Sequence, residues 1–279
     1  MTNSVITFLI LALKRYGLLF SVFFVLYFIL GFPFQDALMN AHMSFSGNDP
    51  EAIIVLLTKF RDIYYQTGRH PLMLLFNPIG LGLTVFTGSI WLSALIMVSA
   101  LASLCNIMFH YLLVSSGVTK VRAILFTVLF GISFSQIMAG SIPETFVFTA
   151  SSILFMLVLH VRIREDRKFI PWFFAASLVS FGTAVTSLAP SGLIWLVRFW
   201  HRPFFKRFIH CAILLAVVVV VGAALSFLLA QIYGEKANHL LRLGSGHFDK
   251  SIGRCFYFWQ YDSNWLKSIL YFPMCYIYN

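Results

Sequence analysis

Charge is what this sequence has least of. Only 11% of its 279 residues are Asp, Glu, Lys or Arg, where an ordinary soluble domain carries about 25%, and its mean hydropathy is +0.85. Those values exclude an ordinary soluble globular domain and predict a polytopic membrane protein. Acid is scarcest: 10 Asp and Glu stand against 20 Lys and Arg, a net charge of +10. The basic residues come in short clusters between apolar runs rather than along one face. That pattern excludes a nucleic-acid surface and fits membrane topology and contact with anionic membrane lipids.

Other absences narrow the field further. No group of acids or histidines has metal-ligand spacing; Asp36, Asp49 and His70 are a loose set, so no metal and no cofactor are expected. Of four cysteines, Cys105 and Cys211 fall in apolar runs, while Cys255 and Cys275 lie in the tail, where an oxidising compartment would allow a disulfide. The glycines of His239–Arg254 lack phosphate-loop spacing. No internal repeat and no low-complexity linker is present. The first apolar stretch runs on past Lys14 and Arg15 without a small-residue cleavage site, so it is expected to stay as an anchor rather than leave as a signal peptide.

What is present is a succession of apolar runs. A spanning helix needs about 20 apolar residues, and seven segments qualify: Tyr16 to Phe34, Ser89 to Val114, Val121 to Ala139, Thr145 to Val161, Phe169 to Thr186, Ser191 to Trp200 with its upstream residues, and Ile209 to Tyr233. The expected fold is therefore an all-α transmembrane bundle of about seven spans. Basic clusters at Lys14-Arg15, Lys120-Arg122, Arg162 to Lys168 and Arg198 to Arg207 recur at every second connection, which puts those connections and the N-terminus in the cytoplasm. A multi-pass protein of the plasma (inner) membrane is expected, with residues 1–233 as the membrane module. Residues 234–279 form an extracytoplasmic tail whose last stretch begins another apolar run. The aromatic cluster of that tail, Phe256 to Trp265, suits a headgroup interface.

The first outer loop, Gln35 to about Gly88, is long but patterned. Ile53, Leu56, Leu57, Phe60, Ile63 and Tyr64 recur at helical spacing, Asp49 is an N-cap candidate, Pro50 and Glu51 suit a first turn, and Gly68 can end the helix. With Lys59 and Arg61 off the apolar stripe, the helix is expected to lie along the membrane interface.

Three places on this outer side collect ionisable groups: Asp36, Arg69-His70-Pro71, and Glu144 in AGSIPETF. Each has a plain explanation. Pro71 and Pro143 can open helices, Glu144 favours a helix N-terminus, and an interfacial histidine can simply bond a backbone group. Their order, however, resembles the GT-C superfamily of membrane glycosyltransferases, especially the protein O-mannosyltransferases, aminoarabinose transferases and related bacterial enzymes. In that family the first helix leads to a long extracytoplasmic loop with an acidic residue near its start, then amphipathic helices and a His-or-Lys-Pro-Pro-Leu-like segment. Phe34-Gln35-Asp36 and Arg69-His70-Pro71-Leu72 occupy those places, and Ser141-Ile142-Pro143-Glu144 looks like the family's later Arg-Pro-acid turn. The Pro-Pro pair is reduced to Pro71-Leu72, and Asp36 stands alone where the family has an acidic pair.

The resemblance implies transfer of a sugar from a polyprenyl-phosphate-linked donor to an acceptor glycan, lipid or protein at the outer face. Asp36 would be the catalytic base. Asp49, Arg69, His70 and Glu144 would bind substrate, with Arg69, His70 or a tail cation such as Arg242 stabilising the phosphate leaving group. Two other classes stay open: a transporter or lipid flippase, which calls for ionisable or broken-helix elements near the bilayer midplane, and a non-catalytic membrane assembly subunit.

Overall fold

The computed structural model describes residues 3–34, 53–54, 57–58, 72–184 and 187–232, all within the compact unit Met1–Gly234. Among the described residues the structure is all-helical, with no strand. The elements are α1 (Asn3–Gly31), a 3-10 turn (Met73–Phe76), α2 (Asn77–Thr87), α3 (Ile90–Ser115), α4 (Lys120–Gly131), α5 (Phe134–Ser141), α6 (Phe146–Arg162), α7 (Asp166–Thr183), α8 (Leu188–Arg198) and α9 (Phe204–Ile232). Every apolar segment predicted from the sequence overlaps one of these helices, or two in the case of the third.

Length and composition suffice for a membrane crossing in two helices, α3 and the Phe204–Leu225 part of α9. A third crossing follows if α4 and α5, bent by 63° at their junction, are taken together. The 11 residues of α8 rise about 16 Å, about half of a 30 Å hydrocarbon layer. Outward faces are apolar: Leu18 is 82% exposed, Val121 80% and Val220 67%, patches that lipid rather than water suits.

Helix α3 is the hub, packed against α1, α2, α4, α5 and α6, and 61% of its apolar window is buried, against 22% for α9. Its start is set locally. Gly88 closes α2 at φ 65°, a left-handed conformation that glycine adopts without a Cβ penalty, and the Ser89 hydroxyl then caps α3 by accepting from Leu92 N at 3.3 Å.

Along α3 runs a seam of buried polar side chains: Ser99, Ser103, Asn106 and His110, at steps of three and four. Ser99 Oγ donates to Gly140 O at 2.9 Å, Asn106 Nδ2 to Tyr27 Oη at 2.7 Å, and His110 shares a bond with Thr127. Helices surrounded by lipid gain little from apolar association, so such bonds select the partner and its register.

The third predicted segment was expected to be continuous. Instead α4 stops at Gly131 and α5 restarts after Ser133, whose hydroxyl caps Gln136 N. The carbonyl freed by the break, Gly131 O, accepts from Tyr27 Oη at 2.8 Å, and Gln136 Nε2 donates to Ala102 O at 3.0 Å. A serine that can cap at this depth, with tyrosine and glutamine side chains beside it, replaces the ladder bonds that a straight helix would have made.

A second difference lies in the predicted outer loop. Residues 73–87 are helical, with Met73 and Leu74 fully buried and Pro78 in the first turn of α2, where its missing N–H costs nothing. Ile53 and Leu57 of the predicted stripe are helical and buried, as is Ile54. They join Met73, Trp91, Leu95, Ile142, Val147 and Phe148 in one core. A second core, built from Met156, Phe169, Phe173, Trp195 and Phe199, knits α6 to α8.

Candidate functional site

Among the predicted site residues Glu144 is described, near where α1, α5 and α7 end and α6 begins; Asp36, Asp49, Arg69 and His70 lie outside the described residues, as do Pro71, the tail cation Arg242, and the cysteines Cys255 and Cys275. Cys105 and Cys211 are free and buried.

Glu144 occupies the four-residue turn between α5 and α6 and is only 4% exposed. A helix-start carboxylate at a membrane surface would ordinarily be solvated, and burying one costs several kcal/mol unless polar partners offset it. The turn is fixed from both sides. Ser141 Oγ donates to Tyr27 O at 3.1 Å, holding the end of α5 on α1. Past the turn, Thr149 and Thr183 share a bond of 3.2 Å between α6 and α7.

Leu72, the first described residue after Pro71, is anchored in this region. Leu72 N donates to Gly182 O at 3.0 Å. Its side chain lies where a Cβ on Gly182 would stand, so glycine is required at 182 for the approach. Four residues on, the Phe76 ring meets the Phe148 ring edge-on at 4.8 Å between centroids. That contact packs the start of α2, with its fully buried Asn77, against the first turn of α6 that follows Glu144.

Below this region an apolar cavity of about 340 Å³ runs between α3, α6 and α7, within the usual range of ligand pockets, about 300–1,000 Å³. Phe76 lines its upper end, Leu104, Phe155 and Val179 its walls, and Tyr16 and Trp172 its lower end. Among the described residues no three His, Cys, Asp or Glu side chains are grouped to hold a metal.

Two features of the site escaped the sequence reading. Asn77 sits in an apolar run within the stretch assigned to the outer loop and was not singled out. The cavity is formed by small residues such as Ser151, Ser152, Ala175 and Ala176 on facing helices, a complementarity that emerges only when the helices are paired. Comparison of the chain with protein-family profiles, with curated proteins and with solved structures finds no match.

Proposed function

We propose that this protein is a multi-pass membrane glycosyltransferase that moves a sugar from a polyprenyl-phosphate-linked donor to an acceptor at the extracytoplasmic face. The observation that carries the reading is Glu144: a carboxylate 4% exposed in a turn between apolar helices. The apolar cavity between α3, α6 and α7, with Phe76 at one end, supports it as well, since it offers a carrier lipid's chain a place.

In this reading the chain crosses the membrane about seven times, α8 being the shortest crossing, with the basic connections in the cytoplasm. An acceptor hydroxyl attacks the sugar's anomeric carbon and passes its proton to Asp36. The bond from that carbon to the phosphate oxygen breaks, and the electron pair leaves with the polyprenyl phosphate. Arg69 and protonated His70 stabilise the departing phosphate. Glu144 and Asp49 accept hydrogen bonds from sugar hydroxyls.

The break between α4 and α5 favours a transporter as a second reading, because broken helices line many substrate paths. There the unwound groups face an ion or solute. Here Gly131 O, Ser133 Oγ and Gln136 Nε2 are bonded within the protein, which favours the enzyme.

The test is incubation of the purified protein with polyprenyl-phosphate sugars and mass analysis of the products. Asp36→Asn should insert normally and lose about 10²–10⁴-fold in transfer. Transport of a solute without any sugar transfer would hand the function to the second reading.

A further inference from the structure

At the opposite end of the bundle from Glu144, the α6–α7 and α8–α9 connections come together around a surplus of cations. The first carries Arg162, Arg164, Arg167 and Lys168 beside Glu165 and Asp166; the second adds Arg198, Arg202, Lys206 and Arg207. Both carboxylates are committed. Glu165 pairs with Lys168 at 2.7 Å, and Asp166 pairs with Arg198 at 3.2 Å and Arg202 at 3.6 Å. Arg198 also donates to His160 O and Arg164 O, which ties the two connections together.

Arg207 is left with no carboxylate among the described residues. It is 6% exposed. Its Nη1 makes one bond, to Trp200 O at 3.3 Å, and its Nε is buried without an acceptor. The guanidinium carbon lies 4.3 Å from the centre of the Trp200 ring and 5.5 Å from that of Phe204. Ring faces attract a cation, but they take no in-plane hydrogen bond from the guanidinium, and its Nε–H is left without an acceptor. A buried cation in that condition is costly, and an anion would relieve the cost.

We propose that Arg207 is the centre of a binding site for the phosphate of an acidic phospholipid headgroup. A guanidinium edge fits phosphate oxygens in pairs. The surroundings select a lipid over a free anion: Trp200, Phe204 and Phe205 are 71%, 58% and 78% exposed, an aromatic rim suited to the depth where headgroups give way to acyl chains. Lys206, exposed beside Arg207, adds long-range attraction without geometry of its own. The site does not depend on the proposed glycosyl transfer, which takes place at the other end of the bundle.

The experiment is native mass spectrometry of the full chain in neutral detergent, titrated separately with phosphatidylglycerol, phosphatidylcholine and inorganic phosphate. The expected result is preferential retention of phosphatidylglycerol. Its apparent affinity should fall about tenfold or more in Arg207→Met, which keeps the apolar stem over the rings, and less in Arg207→Lys, which keeps the charge but not the fork. Lys206→Ala should stay within about twofold. Equal binding of the two lipids, an Arg207→Met affinity within about twofold of wild type, or displacement of the lipid by millimolar inorganic phosphate would each overturn the proposal. If Arg207→Met does not fold, as judged by helical circular dichroism, the wild-type comparison of the three ligands decides.

Discussion

Removing one hydroxyl, that of Tyr27, tests how the bundle tolerates the break between α4 and α5. The ring is fully buried, so Tyr27→Phe leaves its packing intact and deletes two bonds, to Gly131 O at 2.8 Å and from Asn106 Nδ2 at 2.7 Å. Leaving a buried polar group unsatisfied costs about 1–3 kcal/mol. Interhelical bonds in membrane proteins average nearer 0.6 kcal/mol, because the unfolded chain also finds partners. With two groups orphaned, the expected loss is about 1–2 kcal/mol. Asn106→Leu removes one of the orphans, so the double variant should be more stable than the sum of the single losses by about 0.5–1 kcal/mol. Unfolding in mixed micelles by a denaturing detergent, followed by helical circular dichroism, measures all three. A loss under about 0.3 kcal/mol for Tyr27→Phe, with additive behaviour in the pair, would refute the bond network as a support of the break.

Gly182→Ala puts a methyl group where the Leu72 side chain lies and should cost about 1–3 kcal/mol; combined with Leu72→Ala, the losses should sum to less than their separate values, read by the same unfolding assay. Reporter fusions should place Asp62 and Glu144 outside and Lys120, Arg164 and Lys206 inside, because the basic clusters alternate; a cytoplasmic Asp62 would move the candidate site to the wrong side. Arg69→Ala should slow transfer by roughly a hundredfold, about 3 kcal/mol, and Arg69→Lys by much less. A loss below about threefold for Arg69→Ala with His70→Ala would remove both from the phosphate role.

Much of the helical layout was legible because lipid imposes a simple rule: a long apolar run must satisfy its backbone within itself. Helices α3 and α9 follow that rule, and their predicted positions agree with the structure. The α4–α5 break was not legible, since Ser133 in an apolar run reads as a small helix residue until Tyr27 and Gln136 are seen to take over the freed bonding. Nor was α2, which falls within the stretch assigned to the outer loop and packs on α3 as a helix. At the candidate site, the sequence marked Glu144 by its place before a helix. Its burial, at 4% exposed, is a tertiary fact that one stretch of sequence does not carry. Arg207 was read as one member of a cytoplasmic basic cluster, and only the fold reveals that it is buried against the Trp200 and Phe204 rings.

Sugar transfer by the protein in oriented proteoliposomes tests the central claim most directly, with a polyprenyl-phosphate sugar supplied on one side and the wild type compared with Glu144→Gln. The account predicts transfer only from the extracytoplasmic side, and a fall of roughly a hundredfold in Glu144→Gln, about 3 kcal/mol of lost transition-state binding, with unfolding behaviour retained. Transfer from the cytoplasmic side, or a Glu144→Gln rate within about threefold of wild type, would contradict it.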